Sequence, residues 1–294
     1  MRIVSWNIDR RADGLAQRLD RLAEFGAEVV LLQEIERRTV PALRELPGFD
    51  WVQAAVEHSE PGRGSPTRLG PAILGTDRVM LLAAGQVPRE RFVAAGQAAG
   101  LTEDEVDRIG WRHKTVYADI DIDGHPVRLC SFHARPGTGG GGGRPYVGWV
   151  KQLFHRVCAD WLAEHNGTTI VGVDANSPKV DHPDADRWEP FMAGEATLIG
   201  PQPHHQLDDA LYRWLERHPE ELDRIRAERP QGPLAITHVL RRSGQPRRYD
   251  HLLVTVDLDV DAIEHREPHA DGSDHGAIVV DLSLSGRTGH PAAR

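Results

Sequence analysis

Residues 169–176, Thr169-Ile170-Val171-Gly172-Val173-Asp174-Ala175-Asn176, are an apolar run that stops at a carboxylate and an amide. β-Branched residues dominate the run and favour an extended strand. The same arrangement recurs on either side. IVSWN (3–7) reaches Asn7, VVLLQE (29–34) reaches Glu34, and VRLCSFH (127–133) reaches His133. Later, Tyr249-Asp250 opens the run YDHLLV (249–254), and Ser273-Asp274-His275 precedes the last apolar stretch. Strands that end this way gather carboxylates, amides and imidazoles at one edge of a sheet. Such a collection suits a divalent metal and a phosphate ester.

The bulk composition narrows the class. With 294 residues, 39% of them hydrophobic, the chain can bury a substantial core, and neither disorder nor a fibrous repeat fits. A net charge of −9 argues against a broad basic face for long nucleic acid, though not against a local basic patch. Two cysteines, Cys130 and Cys158, lie in apolar contexts, so a disulfide framework or a cysteine zinc site is not expected. No apolar run approaches the roughly 20 residues that span a bilayer. The first strand, from Arg2 to Trp6, begins at once with no signal peptide, so a cytoplasmic protein is expected. Only three lysines, Lys114, Lys151 and Lys179, stand among 35 basic residues.

Periodicity places the elements. Gly14 to Phe25 reads as an amphipathic helix with Leu15, Leu19, Leu22 and Ala23 on one stripe, ended by Gly26. Glu28 to Leu32 follows as a buried strand, and Gly70 to Leu82 as two short strands broken near Gly75-Thr76-Asp77. Thr102 and Glu105 have capping-box spacing. Thr115–Ile122 and Pro126–Phe132 should pair as a hairpin through Asp123-Gly124. Tyr146 to Glu164 reads as a long helix and Thr168 to Val173 as a strand. Helices are expected near 207–216 and 220–228, and strands at Tyr249–Val256 and His275–Leu284. This alternation favours one α/β domain over 1–286 with a flexible tail at 287–294. The glycine run 137–144 is read as a loop beside the site rather than a linker, because polar strand ends lie on both sides of it.

Each candidate residue has a plain reading beside a chemical one. Glu34 and Asp274 are hard oxygen donors of the kind Mg²⁺ takes, but either could be a solvated turn acid. Asp174 and Asn176, two apart at a strand end, would point to one face and could orient water and hold a phosphate oxygen; an Asx turn is the alternative. Asp250 could fix the tautomer of His275 and support a positive ring facing phosphate. His133 could polarise phosphate or serve the leaving group. His251 alternates to the other face of its strand. His204-His205 and His238 have no ligand-like spacing. A Gly-x-Ser-x-Gly elbow and a His-Glu-x-x-His zinc motif are both absent, which leaves nucleophilic serine and zinc chemistry unsupported.

As an ordered set, SWN, LLQE, SFH, GVDAN, RRYDHLLV and SDHG resemble the deoxyribonuclease I-like endonuclease/exonuclease/phosphatase superfamily, and GPAIL (70–74) resembles its glycine-led strand. The resemblance spans nearly the whole chain. It implies a four-layer α/β sandwich of two packed mixed β-sheets flanked by helices. It also implies a Mg²⁺ or Mn²⁺ site at Glu34 and Asp274 supported by Asn7. Asp174 would activate water, Asn176 would contact phosphate, and His275 with Asp250 would bind phosphate or act as base. His133 would stabilise the pentacovalent oxygen or protonate the leaving group. The chain departs from the family pattern at Ala134-Arg135-Pro136, and 86–112 and 195–245 match nothing in it.

A metal-dependent phosphoric ester hydrolase is therefore expected, most readily a phosphodiesterase or nuclease. Arg241, Arg242, Arg247 and Arg248 precede Asp250 and could guide a phosphodiester backbone, with Arg248 as a substrate-binding candidate. A phosphatase, a phospholipid or small-metabolite diesterase, and a non-catalytic binding module on the same fold are the alternatives.

Overall fold

A computed structural model describes residues 1–9, 14–58, 69–136 and 146–285. The glycine run 137–144 and the expected tail 287–294 lie outside these residues. In chain order the strands are β1 (Arg2–Asn7), β2 (Val29–Ile35), β3 (Trp51–Ala54), β4 (Gly70–Gly75), β5 (Met80–Gly85), β6 (Thr115–Ile122), β7 (His125–His133), β8 (Thr168–Asp174) and β9 (Leu207–Asp209). They continue as β10 (His238–Val239), β11 (Pro246–Arg247), β12 (Asp250–Thr255), β13 (Leu258–His265) and β14 (Ile278–Leu284). One six-stranded sheet has the order β13-β14-β1-β2-β4-β3 and the other β5-β6-β7-β8-β12-β9; β10 and β11 form a separate ribbon.

Alternation along the strands sorts the side chains into three apolar layers. Ile3, Leu31 and Ile73 of the first sheet meet Leu129, Ile170 and Leu252 of the second between the sheets. The opposite face of the first sheet, with Val4, Trp6 and Leu32, packs on Leu22 and Leu43 from helices α1 (Leu15–Glu24) and α2 (Val40–Arg44). The opposite face of the second, with Phe132, Val171 and Leu253, packs on Phe92, Val106 and Phe154. Those three come from helices α3 (Arg89–Ala98), α4 (Glu103–Ile109) and α5 (Tyr146–Ala163). Helix, sheet, sheet and helix give the four-layer sandwich, which covers both faces of the central strands while the edge strand β5 stays largely exposed.

Most local expectations agree with this structure. Thr102 caps α4 with the reciprocal Glu105 bond of a capping box. Asp123 and Gly124 have φ of 52° and 81°, the primed-turn conformation that closes the β6–β7 hairpin. Three boundaries differ. β2 runs on through Glu34, with a register shift against β4 between Leu32 and Ile35. Residues 207–209 are a short edge strand on β12, and helix α6 (Ala210–Arg217) begins only after Asp209 caps the Leu211 amide. β13 was not among the elements expected from the sequence; it pairs antiparallel with β14, with a register shift between Val260 and Ala262.

Sheet registers fix where the polar groups emerge. β1 and β2 run parallel with Asn7 opposite Gln33, and β7 and β8 run parallel with His133 opposite Asp174. β12 runs antiparallel to β8 and starts at Asp250, opposite Asp174. The ends of these two parallel pairs and the beginning of β12 share one rim, where Asn7 Nδ2 reaches Asp174 Oδ2 across the sheets.

Candidate active site

Burial at the rim begins with ties between the two sheets. Buried Gln33 donates from Nε2 to Ser131 Oγ (3.0 Å), and Ser131 Oγ donates to Leu32 O (2.8 Å). Trp6 Nε1 donates to His275 O (3.0 Å), and Ser273 Oγ donates to Asn7 O (2.6 Å). The tryptophan and serines of the motifs thus serve the frame, and the neighbouring Asn7, His133 and His275 are delivered into the space above it.

Asp174 is the centre of that space. Its Oδ2 accepts from Asn7 Nδ2 (2.9 Å) and its Oδ1 from the Asn176 backbone amide (3.0 Å). Burial, with the Asp250 and Glu34 carboxylates nearby, outweighs the His275 charge and pushes its carboxyl up to about 7. His275 Nδ1 donates to Asp250 Oδ2 at 2.8 Å. Burial alone would lower its pKa, but the Asp250, Asp174 and Asp274 carboxylates overcome this and raise it to about 10, so the ring is cationic at neutral pH.

Glu34 sits at φ 61°, in the left-handed region, on the irregular stretch of β2. A bulge beside a site redirects a side chain that regular pleating would send elsewhere. Here it brings Glu34 Oε1 to 3.5 Å from His133 Nε2, which is 3.7 Å from Asp174 Oδ2. Glu34, His133 and Asp174 form one cluster of converging donors. Asp274 falls in another, with His238 and His275, and its Oδ2 accepts from Arg241 (2.8 Å). Burial works against its charge, yet Arg241, His275 and His238 hold its carboxyl below the usual range. Among the described residues no such cluster holds Glu34 and Asp274 together: Glu34 converges with His133 and Asp174, and Asp274 with His238 and His275. The donor set still fits a hard cation. Carboxylate oxygens of half-buried Glu34 and buried Asp174 converge, and Asp250 Oδ1 is buried with no hydrogen bond.

Asn176 lies beyond the strand, at φ 49°, so pleat alternation does not aim its side chain. Its Nδ2 donates to Ala134 O (2.9 Å), leaving one amide hydrogen for another acceptor. The loop is braced from below. Lys151 Nζ donates to Asn176 O (2.9 Å) and lies 2.9 Å from Glu195 Oε1, and Glu195 Oε2 accepts from Ser177 Oγ (2.6 Å).

Arg248 must be reassigned. It is 1% exposed, donates to both oxygens of Asp209 at 2.5 Å, and lies 3.7 Å from Asp181. It lies between β11 and β12, in the same charge cluster as His251, whose Nδ1 is 2.9 Å from Asp209 Oδ2. It closes a buried charge cluster and is not open to substrate. Arg247 is taken up by Lys179 O and Gln245. Of the four arginines, Arg241 and Arg242 are exposed.

Two site residues escaped the sequence. His238 pairs across to His275 by a β-bridge, stacks on its ring at 4.5 Å and approaches Asp274 O with Nδ1 (3.1 Å). Lys114 is buried with Nζ 3.1 Å from His133 Nδ1. A histidine among 16 carries no signal, and the rarity of lysine, noted in the sequence, assigned no role to Lys114.

No family model matches the chain, and no curated protein matches it in sequence. Solved structures do match over nearly the full length. D. rerio TDP2 complexed with a single-strand DNA product superposes with a TM-score of 0.63 at 16% identity, covering 97% of this chain and 99% of the other. The catalytic domain of Xenopus laevis APE2 gives 0.59 at 17% identity, covering 96% and 91%. An endonuclease/exonuclease/phosphatase from Bacteroides vulgatus gives 0.58 at 18%, covering 96% and 98%. The chain has the endonuclease/exonuclease/phosphatase fold. Within that fold the rim assembled above is an open cluster of acids, amides and imidazoles fed by both sheets.

Proposed function

We propose that the chain is a divalent-metal-dependent hydrolase of phosphate esters, acting on phosphodiesters. The observation that carries this reading is buried Asp174, flanked by the Asp250–His275 pair on one side and Glu34 with His133 on the other. Glu34 and Asp174 would hold Mg²⁺ or Mn²⁺, which supplies charge neutralisation at the phosphoryl oxygens. Cationic His275 grips a phosphoryl oxygen, and Asp250 keeps its ring oriented. Asn7 and the Asn176 amide hold Asp174 so that it orients a water and takes its proton. The water oxygen bonds to phosphorus as the bond to the leaving oxygen breaks, and the leaving oxygen departs with that electron pair.

The accessible cations favour a single-stranded or small phosphodiester over a long duplex. Arg247 and Arg248 are engaged within the protein and the net charge is −9, which leaves exposed Arg241, held beside the rim by Asp274, and exposed Arg242. The TDP2 structure with its single-strand DNA product is consistent with the former substrate class. A cytoplasmic location accords with two buried free thiols.

The test is release of p-nitrophenolate from bis-p-nitrophenyl phosphate with Mg²⁺ or Mn²⁺, with and without chelator, alongside single-stranded, duplex and abasic oligonucleotides and phosphomonoesters. Metal-dependent cleavage of diesters is expected. Silence across the panel with either metal would favour a binding module on this fold.

A further inference from the structure

Residues 188–192, ahead of the helical turn Ala193–Thr197, take no part in the reaction above, yet their backbone is pinned at two points. Glu189 exchanges both backbone hydrogen bonds with Val180, at 2.9 and 3.0 Å, and the Phe191 amide donates to Glu195 Oε2 (3.0 Å). That oxygen also accepts from Ser177 Oγ, so Phe191 and the residue after Asn176 share one buried carboxylate. Lys151 makes a further tie. Its Nζ donates to Asn176 O (2.9 Å) and lies 4.8 Å from the centre of the Phe191 ring, the approach of a cation to an aromatic face. Laid end to end, those two contacts put the ring within about 8 Å of Asn176 O.

A phenylalanine has either a core to join or a ligand to meet. Among the described residues this ring belongs to none of the apolar clusters, although Trp188, three residues earlier, packs on the helix-side core of the second sheet. Phe191 stays half-buried, and Met192 beside it is 40% exposed. Lys151, itself 1% exposed, occupies one face of the ring, so the exposed part of the ring is turned away from the ammonium.

We propose that Phe191 is a stacking platform for the base adjoining the scissile phosphate, which makes single-stranded nucleic acid the substrate class.

This deepens the phosphodiester reading and rests on it. Every base has a flat π face that stacks on an aromatic ring whatever its identity. A base in a duplex is already stacked and paired, so an unpaired strand presents its base at lower cost. An aliphatic headgroup lacks such a face. Because Val180 and Glu195 fix the backbone on either side, the ring meets the base without first being ordered, which removes one cost of binding. A purely structural role, in which the ring only shields the Lys151–Glu195 pair, predicts instead that any apolar side chain of similar size will serve.

The test compares a short, end-labelled single-stranded oligonucleotide with the same strand carrying abasic sugars, by fluorescence anisotropy with chelator present to hold off cleavage. Wild type should bind the strand with bases at least about fivefold more tightly, the lower end for one stacked base. Phe191→Leu should lose most of that preference while melting as wild type does. Phe191→Trp should keep it, and its added indole emission should be quenched by the strand with bases and not by the abasic one. An undiminished preference in folded Phe191→Leu overturns the proposal, as does an added indole that responds equally to both strands. A wild type that does not distinguish the strands overturns it too. The indole readout decides even if the leucine variant does not fold. Because turnover is not read, the two failures separate. Hydrolysis of bis-p-nitrophenyl phosphate without base-dependent binding defeats the platform alone, whereas base-dependent binding with no ester hydrolysed defeats the reaction.

Discussion

Asp174 and His275 are both buried, yet their surroundings drive them toward different duties. Burial brings the acid near neutrality, where a base works best, while three carboxylates keep the imidazole charged. Asp174→Asn or His275→Ala should lose at least about a hundredfold in turnover on a diester, with thermal melting confirming the fold. Glu34→Gln should show its effect first in calorimetric Mg²⁺ affinity. Arg248→Ala belongs to a different class. Removing the guanidinium strands Asp209 and Asp181 in the interior, so urea denaturation should report a loss of about 3–5 kcal/mol. A specific rise in KM with unchanged stability would restore Arg248 to the substrate. Sequence identified Asp174, Asp250 and His275 as site candidates because each sits at a strand boundary. It misplaced Arg248 because a charge run does not reveal which members turn inward.

At the element scale, the site depends on how closely two sheets approach. A Cβ added at Gly172 of β8 would lie 2.4 Å from Ser5 Oγ and 3.0 Å from Leu31 Cβ, across the inter-sheet layer. Gly172→Val should therefore cost about 1–3 kcal/mol or more through overpacking, read as a lower urea midpoint. It should also weaken catalysis, because Ser5 and Leu31 lie on the strands that carry Asn7 and Glu34. The hairpin β6–β7, the cap of α4 and the helix α5 were legible because turn, cap and periodicity act locally. The strand β9, the hairpin partner β13 and the bulge at Glu34 were not, since each owes its form to a neighbour distant in sequence.

For the whole molecule, buried histidines link stability to pH. His155 lies between Glu195 O and Ala175 O, each 3.2 Å from a ring nitrogen. Burial and the Lys151 charge outweigh those acceptors and lower its pKa to about 4. Its folded value is therefore below the unfolded one, and the unfolded chain takes up the proton first as pH falls. The contribution is full above about pH 6.5 and is lost by about pH 4, on the order of 3 kcal/mol. Urea midpoints at pH 7 and pH 4.5 should differ accordingly, and the difference should shrink in His155→Asn. An undiminished difference in that variant would assign the acid sensitivity to other groups.

The sequence by itself determined the order of polar strand ends, the α/β class and the chemical kinds of group available, because apolar periodicity and strand termination are written in neighbouring residues. The tertiary structure decided which of those groups meet. Parallel registers put His133 beside Asp174, a bulge turned Glu34 toward them, and a bridge laid His238 on His275. It also buried Arg248 and set Lys114 against His133. Those outcomes depend on contacts between residues tens to hundreds of positions apart, which no local pattern of neighbouring residues records.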